Sequence, residues 1–217
     1  MAASDINPHS DRPPAEEAGC LAPAALYARL EEEISRAERH GAGLSCLLVR
    51  IENLARLASE HGEELREQTL AYVADALRRE LRSFDRIGRL DDGRDAAPAG
   101  SDLLIVLPGA DGPRGEIVAR RALARLRTIK VEADGVRQAL EISVGLAAWR
   151  PDVRAEALLA HARAALRTIN GDHGPTHLAH AGAADSLAQA PLPQQPAEAG
   201  ARARLGDAPA FGRAGSA

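Results

Sequence analysis

Histidine and cysteine side chains are the first candidates for chemistry in this sequence, because their spacing decides whether a metal or redox site is encoded. His173, His177 and His180 lie close together in GDHGPTHLAH, where neutral imidazoles could ligate a metal ion. No cysteine or acidic pattern accompanies them, so a solvated loop is the better interpretation. Cys20 and Cys46 lie in a terminal segment and an apolar run, which is neither a disulfide framework nor metal-ligand spacing. We therefore expect no metal site and a reducing compartment.

The overall composition excludes several classes of protein. The net charge is only -4, basic and acidic residues are interspersed, and aromatic residues make up 2 % of the chain, so neither a basic face nor a set of stacking platforms indicates nucleic-acid binding. No signal peptide and no apolar run of membrane-spanning length is recognisable. We expect a soluble, cytoplasmic protein that contacts neither nucleic acid nor membrane.

The elements that must position any site follow from the hydrophobic pattern. Apolar residues at helical spacing alternate with short apolar runs typical of buried strands. Residues 1–22 and 182–217 are rich in Pro and Ala without such periodicity, which predicts disordered tails around a domain at 23–181. The predicted helices are 26–41, two between 53 and 82 with a break at His61-Gly62, 114–128 and 153–169; the predicted strands are 44–52, 84–90, 102–107, 130–134, 138–148 and a short one at 176–180.

This order of elements predicts the α/β class, as an α+β palm-like fold. Hairpins and crossovers both occur, which implies a central mixed sheet of about five strands covered by helices. One segment stands out: between the predicted strands 84–90 and 102–107 the connection is filled with Asp, Gly, Arg, Pro and Ala.

Several fragments in sequence order resemble the GGDEF family, the diguanylate cyclases that condense two GTP molecules into cyclic di-GMP on a palm-like fold. The resemblance covers residues 26–175, nearly all of the predicted ordered part. The fragments that carry it are ISRAERHGAGLSCLLVRIENL, LRRELRSFDRIGRL, DLLIVLPG, EISVGLA and AEALLAHARAAL.

The resemblance also implies that the catalytic carboxylates of the family are replaced. In the family two carboxylates hold divalent metals against the GTP phosphates. The first corresponds to Arg50 here, with Glu52 two residues further on the same face of the strand. The second belongs to the GGDEF turn, which aligns either with DDGRD, counted forward from Arg89, or with AGSDL, counted back from Pro108, which keeps Gly100 and Asp102.

Other substrate contacts that the resemblance implies are replaced as well. The guanine-reading Asn and Asp correspond to Ala58 and Glu67, the phosphate-binding basic pair corresponds to Asn170 and Gly174, and the acidic residue of the last helix corresponds to Arg163. We therefore expect a degenerate domain without cyclase activity and without a cofactor. The alternative is a residual cyclase that would use Mg²⁺ on Glu52 with Asp91, Asp92 or Asp102.

The resemblance finally implies an allosteric product site, which in many family members is an Arg-x-x-Asp before the signature turn helped by an arginine of the next helix. Arg82, Asp85 and Arg121 correspond to these positions. An arginine can bond a guanine edge or a phosphate at two points, and a carboxylate accepts from guanine N1 and N2. The expected function is a cyclic di-GMP receptor or a protein-interaction module, and a ligand-free scaffold is the remaining alternative. A protein partner and a homodimer are further expectations.

Overall fold

A five-stranded sheet forms the centre of the protein in the computed structural model, which describes residues 4–6, 20–90, 102–169 and 177–180. Its strand order is β3-β4-β2-β7-β8, antiparallel except for the parallel pair β7-β8. A smaller sheet has the order β1-β5-β6. The strands are β1 (Ser4–Ile6), β2 (Leu44–Ile51), β3 (Arg86–Leu90), β4 (Asp102–Pro108), β5 (Ile129–Ala133), β6 (Val136–Ala139), β7 (Ile142–Ala148) and β8 (His177–His180).

Five helices cover the central sheet on both faces, which confirms the predicted mixed α/β fold with a five-stranded sheet. Successive side chains along a strand point to opposite faces of the sheet. Leu47 and Val49 of β2 belong to one apolar core, whereas Cys46 and Leu48 belong to the other. The first core is completed by the second, third and fourth helices, and the other by the first and fifth. The helices are α1 (Pro23–His40), α2 (Leu54–His61), α3 (Glu63–Arg78), α4 (Gly112–Leu126) and α5 (Ala155–Ile169).

The predicted strand 138–148 is two strands in the structure, β6 and β7. Leu140 and Glu141 separate them, and the side chain of Asn53 satisfies the backbone at the break. Its Nδ2 donates to Ala139 O at 3.0 Å, and its Oδ1 accepts from the Glu141 N–H at 3.1 Å. The apolar pattern of 138–148 did not reveal this break, because it depends on a side chain from a distant segment.

The N-terminal segment, predicted as a disordered tail over residues 1–22, contributes pairing to both sheets. β1 runs parallel to β5, and Leu21 forms a bridge to Gly88 of β3. The Leu21 N–H donates to Ile87 O at 2.9 Å and the Arg89 N–H donates to Leu21 O at 3.1 Å. Gly88 is required by this approach, because a Cβ there would lie 2.7 Å from Leu21 O. Pairing at a sheet edge uses backbone groups, so the side-chain pattern of this segment did not predict the pairing.

None of the helices in the described part of the chain has the length and apolarity to span a membrane.

Candidate functional site

A buried ion pair lies where the resemblance places the metal-holding carboxylate. Arg50, near the end of β2, is directly opposite Asp102, the first residue of β4. The Arg50 Nε donates to Asp102 Oδ1 at 2.8 Å, and its Nη2 donates to Oδ2 at 2.6 Å. The Arg50 side chain is 13 % exposed and that of Asp102 is 8 % exposed. The guanidinium therefore holds both carboxylate oxygens of Asp102.

The Arg50–Asp102 pair has a defined place relative to the two cores. By strand alternation, Arg50 and Asp102 point to the same face as Leu48 and Leu104, the face that α1 and α5 cover. The pair thus extends an apolar layer with two charges that neutralise each other.

A second ion pair lies at the same end of the sheet on its other face. Arg89 of β3 donates to the carboxylate of Glu67 on α3 through Nη1 at 2.7 Å and Nη2 at 3.1 Å. The Arg66 Nη1 also lies 3.2 Å from this carboxylate. The resemblance sets Glu67 at the position of a guanine-reading acid, and here two arginines contact its oxygens.

Glu52, the other residual catalytic candidate, is placed differently from the prediction. β2 ends at Ile51, so Glu52 lies in the turn beyond the strand rather than on its last residue, and its side chain is exposed. Its backbone N–H donates to Glu141 O at 2.8 Å, which continues the β2–β7 pairing by one residue beyond the strand.

Those residues of this region that the structure describes do not fit a divalent metal pair. An arginine stands at the first carboxylate position and engages Asp102 at both oxygens. Among the residues that the structure describes, no group of three His, Cys, Asp or Glu side chains could hold a metal ion. Several of the predicted residues lie outside the part of the chain that the structure describes. They are the alternative ligands Asp91 and Asp92, both alignments of the signature turn up to Gly100, and Asn170, His173 and Gly174.

The predicted Arg82–Asp85 segment forms a closed turn between α3 and β3. The Arg82 N–H donates to Asp85 Oδ2 at 2.8 Å, and the Asp85 N–H donates to Arg82 O at 3.1 Å. Asp85 is buried, whereas Arg82 is exposed. The carboxylate is thus fixed by the backbone of its own turn, and the guanidinium extends into solvent.

Burial raises the pKa of Asp85 above its ordinary value. The hydrogen bond from Arg82 and the positive charges of Arg82, Arg121 and Arg86 oppose part of this rise. These three arginines act on one carboxylate, so the structure brings the three predicted ligand residues, Arg82, Asp85 and Arg121, into one electrostatic cluster.

Glu80 is a member of this cluster that the sequence did not reveal. Arg121, half exposed on α4, donates to the backbone carbonyl of Glu80, and its Nε lies 3.2 Å from Glu80 Oε2. Glu80 thereby fixes the side chain of Arg121 close to the Arg82–Asp85 turn. Nothing in the local pattern pointed to Glu80, because the contact joins residues 41 positions apart.

Comparison with known proteins decides the family. Residues 23–174 match the family described as "Diguanylate cyclase, GGDEF domain", which is most of the chain. The chain belongs to the GGDEF family. This GGDEF chain is also 27 % identical over 143 residues to diguanylate cyclase DgcP of Pseudomonas aeruginosa. The match covers 66 % of this chain and 20 % of DgcP, so the chain spans only a small part of that relative.

Solved structures of GGDEF proteins share the fold. Diguanylate cyclase SiaD from Pseudomonas aeruginosa, in complex with its activator SiaC, superimposes with a TM-score of 0.68 at 24 % identity, covering 79 % of this chain and 62 % of SiaD. The GGDEF domain of DgcB from Caulobacter crescentus, in complex with c-di-GMP, gives a TM-score of 0.66 at 16 % identity, covering 75 % of this chain and 91 % of that domain. At these identities the likeness establishes the fold.

Proposed function

We propose that this GGDEF domain does not synthesise cyclic di-GMP and instead binds it as a receptor. The observation that carries the first half is the Arg50–Asp102 pair, in which a cation stands at the carboxylate position and neutralises the acid opposite. A catalytic metal needs free carboxylate oxygens, and two of them are engaged here by one guanidinium.

The Arg89–Glu67 pair supports the same conclusion at the position that corresponds to a base-reading acid. An acid that accepts two arginine hydrogen bonds must give them up before it can accept from a guanine. Catalysis requires the contacts to metal, base and phosphate together, so replacing residues at two of these positions lowers the reaction rate more than replacing one of them does.

The receptor half rests on the cluster around Asp85. Asp85 is held by the backbone of its turn and Arg121 by Glu80, so these two groups are arranged before a ligand arrives, and the exposed Arg82 is accessible to it. Preorganisation of this kind lowers the entropic cost of binding. Arginine forks suit a phosphate or the O6/N7 edge of guanine, and the carboxylate suits N1 and N2.

A protein-interaction module is the second candidate. Ile117 on α4 is 65 % exposed, and the surrounding surface of that helix carries Arg114, Arg120 and Arg121. An exposed apolar residue among cations is suited to a protein partner with acidic and apolar side chains. Because SiaD is known in complex with an activator protein, a GGDEF fold is compatible with such a role.

Titration calorimetry with cyclic di-GMP tests the receptor. We expect saturable heat with the unmodified chain, and at least a tenfold loss of affinity for Arg82→Ala and for Arg121→Ala, since each removes a charge-assisted contact of roughly 1.5–3 kcal/mol. Arg120→Ala is the matched control, because Arg120 is an exposed arginine of the same helix whose recorded partner is Glu116. No heat at high micromolar ligand, or equal affinity in all variants, contradicts the receptor.

A cyclase assay tests the first half independently. We expect no cyclic di-GMP from GTP with Mg²⁺ or Mn²⁺. Product formation that disappears in Glu52→Ala would instead establish the residual cyclase. If neither assay responds, the ligand-free scaffold remains, and a search for the partner through Ile117 variants follows.

A further inference from the structure

Phe84 is an exposed aromatic residue inside the Arg82–Asp85 turn of the proposed ligand site. Its side chain is 45 % exposed. The other aromatic residues of the described chain, Tyr27, Tyr72 and Trp149, are partly buried and pack against the two cores. An exposed phenyl ring forgoes the hydrophobic stabilisation that those rings obtain, so its position in the ligand cluster calls for a separate reason.

The ring is presented by a turn that is fixed on both sides. Arg82 and Asp85 close the turn with two hydrogen bonds. Arg86 adds a third fixed point, because its Nη1 donates to Ser83 O at 2.9 Å. Phe84 lies between these points, so its backbone has little freedom to withdraw the ring.

The ring also lies directly beside a proposed ligand group. The Arg82 Cζ is 5.7 Å from the centroid of the Phe84 ring, within the range of a cation–π contact. At an exposed site such a contact adds little stability by itself, so it does not explain why this position is aromatic. The Arg82 guanidinium offers hydrogen-bond donors and the Phe84 ring offers a flat surface for stacking, and the two lie side by side next to the carboxylate of Asp85.

We infer that the Phe84 ring is a stacking platform for one purine base of the bound nucleotide, while Asp85 and Arg82 contact its edge. This inference rests on the proposed receptor function and adds a residue to it. Stacking on a phenyl ring tolerates any base, since every base has a π-face. The ring therefore contributes affinity, and the polar groups at the edge contribute the preference for guanine.

Calorimetry of ring variants tests the inference on the full chain. Phe84→Leu keeps an apolar side chain and removes the ring, and we expect about 5- to 150-fold weaker binding of cyclic di-GMP, the range found when base stacking is removed. Phe84→Tyr keeps the ring and should bind as the unmodified chain does. Val136→Ala is the control, because Val136 is a comparably exposed apolar residue, on β6.

The outcomes separate this inference from the proposed function. If the unmodified chain binds and Phe84→Leu binds equally well, the platform is refuted and the receptor stands. If the unmodified chain does not bind, both are refuted. A loss in Phe84→Leu that Phe84→Tyr shares also refutes stacking, because both variants would then report only a disturbed turn. The thermal midpoint of each ligand-free variant should match that of the unmodified chain, since the ring is half exposed.

Discussion

Replacing Asp102 by alanine should destabilise the domain strongly, because it leaves the Arg50 guanidinium buried without its carboxylate. Both side chains are largely withdrawn from water, at 13 % and 8 % exposure. The variant removes two hydrogen bonds, of 2.8 and 2.6 Å, together with the carboxylate charge that the Arg50 guanidinium contacts through both of its oxygens.

The magnitude follows from the position of the pair. Two unit charges about 4 Å apart attract by about 4 kcal/mol at an effective dielectric constant of about 20. Desolvation of the two ions offsets much of this attraction while the pair is intact. Removal of one partner leaves the other with its desolvation cost uncompensated, which typically destabilises by about 3–5 kcal/mol. We expect Asp102→Ala to fall in that range.

Urea unfolding followed by circular dichroism measures this quantity, and a variant that replaces both charges tests whether the unpaired charge causes the loss. Arg50→Met combined with Asp102→Leu replaces both charges by apolar side chains and should recover most of the lost stability. Arg29→Met is a control, because Arg29 pairs with Glu32 on the surface of α1. A free energy of unfolding for Asp102→Ala within about 1 kcal/mol of the unmodified chain would refute the buried-pair reasoning.

Three further predictions concern other residues. Gly145→Ala should destabilise the domain by more than about 2 kcal/mol in urea unfolding, because a Cβ there would lie 2.3 Å from Ala162 O; an unchanged midpoint would contradict the close packing of β7 on α5. The pKa of Asp85 is raised in the folded protein, so ionisation of this carboxyl opposes folding. The free energy of unfolding of the unmodified chain should therefore fall relative to that of Asp85→Asn as the pH rises from about 3.8 through the native pKa. A constant difference between the two proteins across a pH series of melts would contradict this. Burial raises the pKa of Cys46 from 9.0 to about 12, so the stability that comes from keeping this thiol protonated should be lost between these pH values. For the same reason Ellman's reagent should not label Cys46 at pH 8 without denaturant. Prompt labelling of Cys46 in the Cys20→Ser variant would contradict its burial.

The sequence predicted those parts of the structure that depend on local pattern. The helix ending near Gly41 and the buried strand beginning at Leu44 follow from periodicity and from a glycine with positive φ, and both are present. The Arg82–Asp85 turn is equally local, and the resemblance to the family singled out its two residues. Contacts between distant segments were not predictable in this way.

The ion pairs illustrate that limit. Arg50 and Asp102 are 52 residues apart, and they meet only because β2 and β4 align in the register that sets Leu44 opposite Pro108. A register shift of one residue would turn one partner to the other face of the sheet. From the sequence alone Asp102 is a candidate for a residual metal ligand, since nothing local shows that its carboxylate lies opposite a cation.

The same register gives Asp102 a reason to be acidic that does not involve catalysis. An arginine at position 50 lies in a layer with Leu48 and Leu104, where an unpaired charge would be costly. The residue directly opposite on β4 can offset that cost, and an aspartate there does so with two hydrogen bonds. The acid retained beside the signature turn is therefore explained as the structural partner of Arg50. Because the residue opposite it is a cation, the carboxylate of Asp102 does not by itself indicate a metal site in this domain.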